Sequence, residues 1–130
     1  MHNVAIPDTV KAVGREGTGV NNIPVSEFSK RGVPVFYAPG ANANAVAELA
    51  IAGLLMAARN IPKALSFTKN LEGENDELDA LVEQAKIRFS GMELAGKTLG
   101  VVGLGAIGVK VSNAAAALGL KVVGFDPQMR

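Results

Sequence analysis

The chain has 130 residues, 48% of them hydrophobic, and its 13 Lys and Arg residues almost balance its 12 Asp and Glu residues. A net charge of +1 gives no basic excess for binding nucleic acid or an anionic membrane. With no Cys and a single His, at position 2, the sequence excludes a disulfide scaffold, a Cys nucleophile, a thiolate zinc site and a multi-His metal site. We therefore expect a globular cytoplasmic chain with no metal, no nucleic-acid partner and no membrane partner.

The first third of the chain predicts two strands joined through a loop and a helix. Residues 10–13 form a short apolar run typical of a strand, and residues 14–22 form a glycine-rich loop. Pro24 is suited to the first position of a helix, which Gly32 would end. Residues 33–37 are β-branched and aromatic and predict the second strand.

A long apolar helix is predicted next. Asn44 is its expected N-cap, and Pro62 predicts a break, because the residue before a proline disfavours helical backbone. The most apolar stretch, residues 45–58, contains Glu48. It is shorter than the roughly 20 apolar residues that cross a membrane, so we expect a buried helix.

The last part of the chain predicts a further helix and then a strand, a helix and a strand. Residues 76–89 have apolar positions at helical spacing. Residues 98–102 and 121–125 predict strands on either side of a helix at 106–118. Strands that alternate with helices indicate parallel β-sheet built from β–α–β units, which is an α/β fold.

Residues 103–108 read Gly-Leu-Gly-Ala-Ile-Gly, directly between a predicted strand and a predicted helix. In a dinucleotide site Gly103 permits the tight turn, Gly105 lets backbone approach the pyrophosphate, and Gly108 allows close helix packing. Asp126 lies 18 residues after Gly108, near the usual spacing of about 20. Its carboxylate would accept hydrogen bonds from the adenosine ribose and would repel a 2′-phosphate, so NAD is favoured over NADP.

Two alternatives accompany this motif. The helix that begins at Ala106 would offer unpaired N–H groups and a positive dipole end to phosphates. The same glycines could instead form a strand-to-helix turn without a ligand, with Asp126 as a cap of the strand end.

A second glycine-rich segment, residues 14–19, follows the first predicted strand. Such a loop can direct backbone N–H groups at an anion, and Arg15 offers a planar charged fork suited to carboxylate or phosphate. Residue chemistry alone slightly favours a plain turn, with Arg15 paired to Glu16 at the surface. Residues 38–44 join a strand end to a helix start, where α/β folds bind ligands, although a turn with a helix cap is the simpler explanation.

Taken together, these segments resemble a known family. Residues 99–108 and 122–126 are similar to the cofactor signature of the D-isomer-specific 2-hydroxyacid dehydrogenases. Residues 12–55 resemble the substrate-domain half of the phosphoglycerate subgroup. The resemblance implies a partial flavodoxin-like substrate domain over residues 1–44. It implies a crossover helix and helical connection over 45–90, and the first half of a Rossmann NAD-binding domain over 91–130.

The resemblance also implies roles for individual residues. Glu16 stands where a small residue is more usual in the family, which leaves the substrate open. The implied substrate-binding residues are Arg15, Gly17, Thr18 and Gly19. The implied cofactor-binding residues are Ala38, Val46, Gly103, Gly105, Ala106, Ile107, Gly108, Asp126 and Pro127.

By resemblance we expect an NAD-dependent oxidoreductase of serine biosynthesis that acts on a small, phosphorylated 2-hydroxy acid and whose parent enzyme is a homo-oligomer. The family's catalytic Arg, Glu and His lie after the cofactor signature. We therefore expect this chain to be a fragment without catalytic residues, inactive alone. Two rival hypotheses remain, a glyoxylate or hydroxypyruvate reductase of the same superfamily and a non-catalytic nucleotide-binding module.

Overall fold

The computed structural model describes residues 1–128. The chain forms two compact units, Met1–Val46 and a second unit from Ala47 on. Each unit holds one parallel pair of strands. The resemblance divides the chain into segments 1–44, 45–90 and 91–130, which would belong to domains of a larger enzyme. That division stays a prediction.

The first unit is one β–α–β element. Its strands are β1 (Val13–Glu16) and β2 (Val35–Ala38), and its helix is α1 (Val25–Lys30). The strands are parallel, with Val13 opposite Val35 and Glu16 opposite Ala38. The helix returns the chain to the start of the second strand, as a parallel pair requires.

The core of the first unit forms between the helix and the strands. Phe28 is 1% exposed and is buried together with Ile23 and Val33. Gly32 follows the helix at a φ of +70° and turns the chain towards β2, so the predicted helix end is confirmed. The apolar side chains that pack around this cluster are Ile6, Val10, Val13 and Val35.

Both strands of this unit lie later in the chain than predicted. The run at residues 10–13 contributes only its last residue, Val13, to β1, and β2 begins at Val35. The N–H of Val33 donates to the carbonyl of Phe28 at 2.9 Å, so Val33 closes the end of α1 and does not pair in the sheet. Pro34 has no N–H to donate, but its carbonyl accepts the N–H of Val13 at 2.9 Å, and the ladder starts there.

The long predicted helix is α2 (Ala43–Ala58). It begins one residue before Asn44, so Asn44 lies in its first turn and is not the residue ahead of the helix. The N–H of Val46 donates to the carbonyl of Asn42 at 3.1 Å, which places the start of the helical ladder at Asn42.

The expectation that this helix is buried was wrong. Its buried side chains are those of the small residues Ala43, Ala47 and Ala58, whereas Leu49 is 70% exposed. The helix therefore contacts its surroundings along one face, where Ile51 and Leu54 are half-buried beside the three alanines, and Leu49 lies on the opposite, exposed side.

The predicted break before Pro62 is confirmed. Asn60 adopts a φ of +51°, and a separate helix, α3 (Ile61–Lys69), starts beyond it with Pro62 in its first turn. The sequence did not predict this helix. No single helix in the described chain has the length and apolarity to cross a membrane, while α2 and α3, bent by 68°, reach that length and composition only as a pair.

The helix predicted over 76–89 consists of two pieces. α4 (Asp76–Ala85) is an α-helix, and Lys86–Phe89 continues it as one tighter turn of 3₁₀-helix. Such tightening is common at the end of an α-helix.

The second unit also contains a β–α–β element. It comprises β3 (Thr98–Val102), α5 (Ala106–Ala117) and β4 (Lys121–Phe125), with the strands parallel and in register from their first residues to their last. Ala115 is fully buried and Leu120 is 8% exposed. These strands match their predicted bounds, and the α/β fold class is confirmed.

Candidate functional site

Each glycine of the loop at residues 103–108 occupies a different environment. Gly103 has a φ of +91°, which L side chains rarely adopt. A Cβ on Gly108 would lie 1.9 Å from the carbonyl oxygen of Gly103, so no residue larger than glycine fits at this position in the first turn of α5. The fold itself therefore requires glycine at both positions.

Gly105 differs from both, because the fold makes no such demand there. Its φ of −73° and ψ of −165° are open to any residue, and no atom lies within 4 Å of a Cβ built on it. The loop thus leaves open space at the position predicted to approach a pyrophosphate. A dinucleotide fits this arrangement, since its phosphates could lie against the backbone there.

The start of α5 adds hydrogen-bond donors beside this space. The first helical bond runs from the N–H of Val109 to the carbonyl of Gly105 at 3.1 Å. The N–H groups of Ala106, Ile107 and Gly108 therefore precede the helical ladder, as the first donors of a helix do. Ala106 and Ile107 are exposed, Ile107 at 38%.

Asp126 follows β4 and is joined to the glycine loop. One of its oxygens, Oδ2, accepts the N–H of Leu104 at 2.8 Å, and the other, Oδ1, accepts the N–H of Gln128 at 2.9 Å. These bonds, first that from Gln128 and then that from Leu104, hold the pKa of this carboxyl below its ordinary value of 3.8, against a smaller opposing effect of desolvation. Pro127 lies next to it in an exposed turn. The carboxylate thus caps the strand end, and its contact with a ribose stays a prediction.

Two contacts at this loop were missed by sequence reasoning. The side chain of Leu104 lies over Gly124, where a Cβ would be 2.8 Å from its Cδ1 atom. A glycine inside an otherwise β-branched strand often marks such a close approach, and this signal was available. The bond from Gln128 to Asp126 is an Asx-turn, for which the Asp126-Pro127 pair was a local signal.

In the first unit, the predicted loop begins as strand. Gly14, Arg15 and Glu16 belong to β1, and side chains alternate between its two faces. Arg15 is half-buried on one face, and Glu16 is exposed on the other. Within residues 1–128 the two form no ion pair, so the proposed surface pair of Arg15 and Glu16 was wrong.

Arg15 instead reaches across the loop that follows its own strand. Its Nη1 donates to Oδ1 of Asn22. Its Nε is buried and has no hydrogen-bond partner in the described part of the chain. Asn22 was not singled out from the sequence, because asparagine in a glycine-rich loop is ordinary turn composition.

The rest of this loop lies at the carboxyl ends of both strands. Gly17 is buried with a φ of +105° and forms a bridge with Ala38, so a predicted substrate residue and a predicted cofactor residue are neighbours. Thr18 and Gly19 are exposed. A Cβ on Gly19 would lie 3.9 Å from Nη2 of Arg15, so the guanidinium lies beside the exposed tip of the loop.

Val46 lies in the first turn of α2 and is 38% exposed. Like Ala38, it belongs to the first unit, whereas the glycine loop and Asp126 belong to the second. The cofactor contacts of these two residues stay predictions. Among the described residues, no three Asp, Glu or His side chains are grouped as metal ligands would be.

Comparison with known proteins gives one family. The sequence profile of the D-isomer specific 2-hydroxyacid dehydrogenase catalytic domain matches residues 4–123. The chain is 44% identical over 120 residues to a D-3-phosphoglycerate dehydrogenase of Methanocaldococcus jannaschii, covering 92% of this chain and 21% of that protein. It is 38% identical over 118 residues to a hydroxypyruvate reductase of Thermotoga maritima, covering 91% and 35%.

Solved structures agree with this result. The NAD⁺-bound 3-phosphoglycerate dehydrogenase of Entamoeba histolytica superposes with a TM-score of 0.65 at 29% identity, covering 95% of this chain and 33% of that one. The chain spans between 21% and 35% of the lengths of these relatives.

Proposed function

The chain belongs to the D-isomer specific 2-hydroxyacid dehydrogenase family, and we propose that it carries two binding loops of an NAD-dependent 3-phosphoglycerate dehydrogenase. One loop holds the adenosine and pyrophosphate side of NAD, and the other holds the substrate anion. The proposal concerns ligand binding, because the chain spans 21% of the Methanocaldococcus relative and turnover is a property of the whole enzyme.

The open space at Gly105 is the observation that carries the cofactor assignment. Gly103 and Gly108 are required by backbone conformation and packing, whereas at Gly105, the N-cap of α5, no neighbouring atom fills the space that a side chain would take. The pyrophosphate would lie there, against the N–H groups of Ala106 and Ile107. When bound, NAD supplies the acceptor for a hydride from the substrate.

The preference for NAD over NADP rests on Asp126. The two backbone donors that lower its pKa keep it ionised at neutral pH. A fixed negative charge at the ribose would repel a 2′-phosphate. Each carboxylate oxygen has a second lone pair, so a ribose hydroxyl could still donate to it.

The substrate assignment rests on Arg15 and the loop from Gly17 to Gly19. The guanidinium is anchored by Asn22 but keeps a buried donor without a partner. Glu16 lies on the other face of β1, so its charge does not oppose an anion at Arg15. A phosphorylated 2-hydroxy acid would use both features, with one anionic group on the exposed N–H groups of the loop and one near the guanidinium.

Calorimetric titration of the 130-residue chain tests the cofactor assignment. We expect NAD and ADP to bind and NADP to bind at least about tenfold more weakly, because its 2′-phosphate meets the carboxylate of Asp126. Equal affinity for NAD and NADP would contradict the role of Asp126. A folded chain that binds none of the three nucleotides would contradict the cofactor assignment itself.

A reductase acting on an unphosphorylated substrate is the second candidate, favoured by the 38% identity to the Thermotoga hydroxypyruvate reductase. Titration with 3-phosphoglycerate and with glycerate separates the two candidates. A clear preference for 3-phosphoglycerate that is lost in Arg15→Ala supports the dehydrogenase. Equal binding of both acids, or a preference for glycerate, supports the reductase.

A further inference from the structure

Three successive residues of β4 and its end hold the glycine loop in place. The N–H of Gly103 donates to the carbonyl of Phe125 at 2.7 Å. The side chain of Leu104 lies over Gly124, and the N–H of Leu104 donates to the carboxylate of Asp126 at 2.8 Å. Leu104 is therefore fixed both by its side chain and by its backbone.

The bond from Leu104 to Asp126 is the only one of these contacts, within residues 1–128, that depends on a charged side chain. The carboxylate of Asp126 is also held by the N–H of Gln128, which donates to its other oxygen at 2.9 Å. With both oxygens held, the carboxylate cannot rotate away from Leu104 without breaking two charge-assisted hydrogen bonds.

We propose that Asp126 is a positioning residue for the phosphate-binding loop, in addition to any contact with the ribose. This inference rests on the proposed function for its ligand, but the positioning itself is a property of the chain without ligand. Asp126 acts through the backbone of Leu104, between Gly103 and the open position at Gly105. Its removal should therefore weaken the binding of phosphates that never touch its carboxylate.

The reason is the conformational freedom of the loop. Gly103 and Gly105 flank Leu104, and glycine populates far more backbone conformations than other residues. A loop already fixed before the ligand arrives does not lose that freedom on binding, so preorganisation raises affinity. Without the carboxylate, the pyrophosphate would have to order the loop itself.

Amide hydrogen exchange of the ligand-free chain tests the positioning directly. We expect the Leu104 amide to exchange at least about tenfold faster in Asp126→Ala, because its charged acceptor is lost. Asp126→Asn should give an intermediate rate, since one amide oxygen can serve only one of the two donors while the NH₂ group opposes the other. Glu93→Ala, which removes an exposed carboxylate of the same unit, should leave the rate unchanged.

The Leu118 amide serves as an internal reference, because its acceptor, the carbonyl of Ala114 at 3.0 Å, lies at the end of α5 away from the loop. If it exchanges faster together with Leu104 in Asp126→Ala, the variant is unfolding more widely. In that case the exchange rate of the Leu104 amide in Asp126→Asn tests the proposal instead. An unchanged Leu104 rate in a folded Asp126→Ala chain overturns the proposal.

Binding measurements separate positioning from ribose recognition. ADP and 2′,3′-dideoxyadenosine 5′-diphosphate carry the same phosphates, but only ADP has ribose hydroxyls for Asp126. Positioning predicts that Asp126→Ala weakens both ligands, the dideoxy compound by at least about fivefold. A variant that loses affinity for ADP alone overturns it. If the wild-type chain binds neither nucleotide, the proposed function fails, whereas hydrogen exchange still decides the positioning.

Discussion

In both units a glycine-rich loop follows the carboxyl end of a parallel strand, but the side chains that hold the two loops have opposite charges. In the first unit Arg15, a residue of the strand itself, reaches across its loop to Asn22. In the second unit Asp126, from the end of the neighbouring strand, accepts the N–H of Leu104 in the loop. The two loops thus follow the same kind of strand, but a cationic side chain holds the first loop and an anionic side chain holds the second.

The helices that follow the loops account for this difference. α1 has six residues and α5 has 12. A long helix places a positive dipole end at its first turn, so the second loop can attract phosphate while a carboxylate lies nearby. The first loop leads into a helix too short to supply that field, and the side chain of Arg15 supplies the positive charge instead.

The largest expected effect separates the structural glycines of the second loop from the open one. Gly108→Ala should destabilise the chain by about 3 kcal/mol, because its Cβ would meet the carbonyl oxygen of Gly103 at 1.9 Å. Gly105→Ala should destabilise the chain by only about 1 kcal/mol, because glycine is preferred to alanine at the N-cap of α5 but a Cβ there meets no atom within 4 Å. It should nevertheless weaken NAD binding, since the methyl group enters the open space. Urea unfolding followed by circular dichroism, with NAD titration, measures both. Equal destabilisation by the two variants would show that Gly105 is also structural.

A second pair of glycines sharpens the comparison in the first unit. Gly17→Ala should destabilise by about 1–2 kcal/mol, because a φ of +105° is strained for any L side chain. Gly14→Ala is the matched control, since no atom lies within 4 Å of its Cβ and its φ is not positive. We expect the control to be neutral or stabilising by up to about 1 kcal/mol, because alanine restricts the unfolded chain. Matching losses in the two variants would mean that backbone strain at Gly17 is not the cause.

Acid should release the second loop before the first. Folding lowers the pKa of Asp126, so the stabilisation from its two hydrogen bonds is complete above its ordinary value of 3.8 and is lost as the pH falls through the lowered value. The first loop is held by a bond from the guanidinium of Arg15 to a neutral side-chain amide, without a carboxylate. Amide chemical shifts followed from pH 6 downwards should show Leu104 titrating with Asp126, while the amides near Asn22 stay constant. Titration of both loops together would contradict this difference.

The sequence predicted the β–α–β element of the second unit more accurately than that of the first, and the reason is local. In the second unit, β3 and β4 are short, mainly apolar runs, and Gly96, Gly103 and Gly119 lie in the turns beside them, so hydrophobic pattern and turn residues agree. In the first unit, Val10 and Val33 are apolar because they pack around Phe28, not because they pair in the sheet. Pattern alone does not distinguish these two causes of hydrophobicity.

The candidate site shows the same difference between what a local sequence pattern predicts and what only the folded chain determines. Glycine spacing located the loop at residues 103–108 and the acid that follows it. The bonds from Leu104 to Asp126 and from Arg15 to Asn22 depend on where backbone N–H groups and side-chain amides come to lie after folding, which no local pattern encodes. Alternation along β1 could have placed Arg15 and Glu16 on opposite faces, but that signal was hidden while residues 14–16 were taken as loop.

The smallest expected effect concerns Glu16. It tests whether the charge of this side chain, on one face of β1, acts on an anion bound at Arg15 on the other face. Glu16→Gln should change the free energy of unfolding by less than about 0.5 kcal/mol, because its side chain is exposed and faces away from Arg15. For the same reason, affinity for 3-phosphoglycerate should change by less than about twofold at 0.15 M salt, where exposed charges beyond about 8 Å are screened. Arg15→Lys keeps the charge but not the planar fork, and it should weaken the same ligand more than Glu16→Gln strengthens it. If removing the carboxylate raises the affinity tenfold or more, Glu16 acts on the bound anion, and the first loop, like the second, places a carboxylate at its ligand.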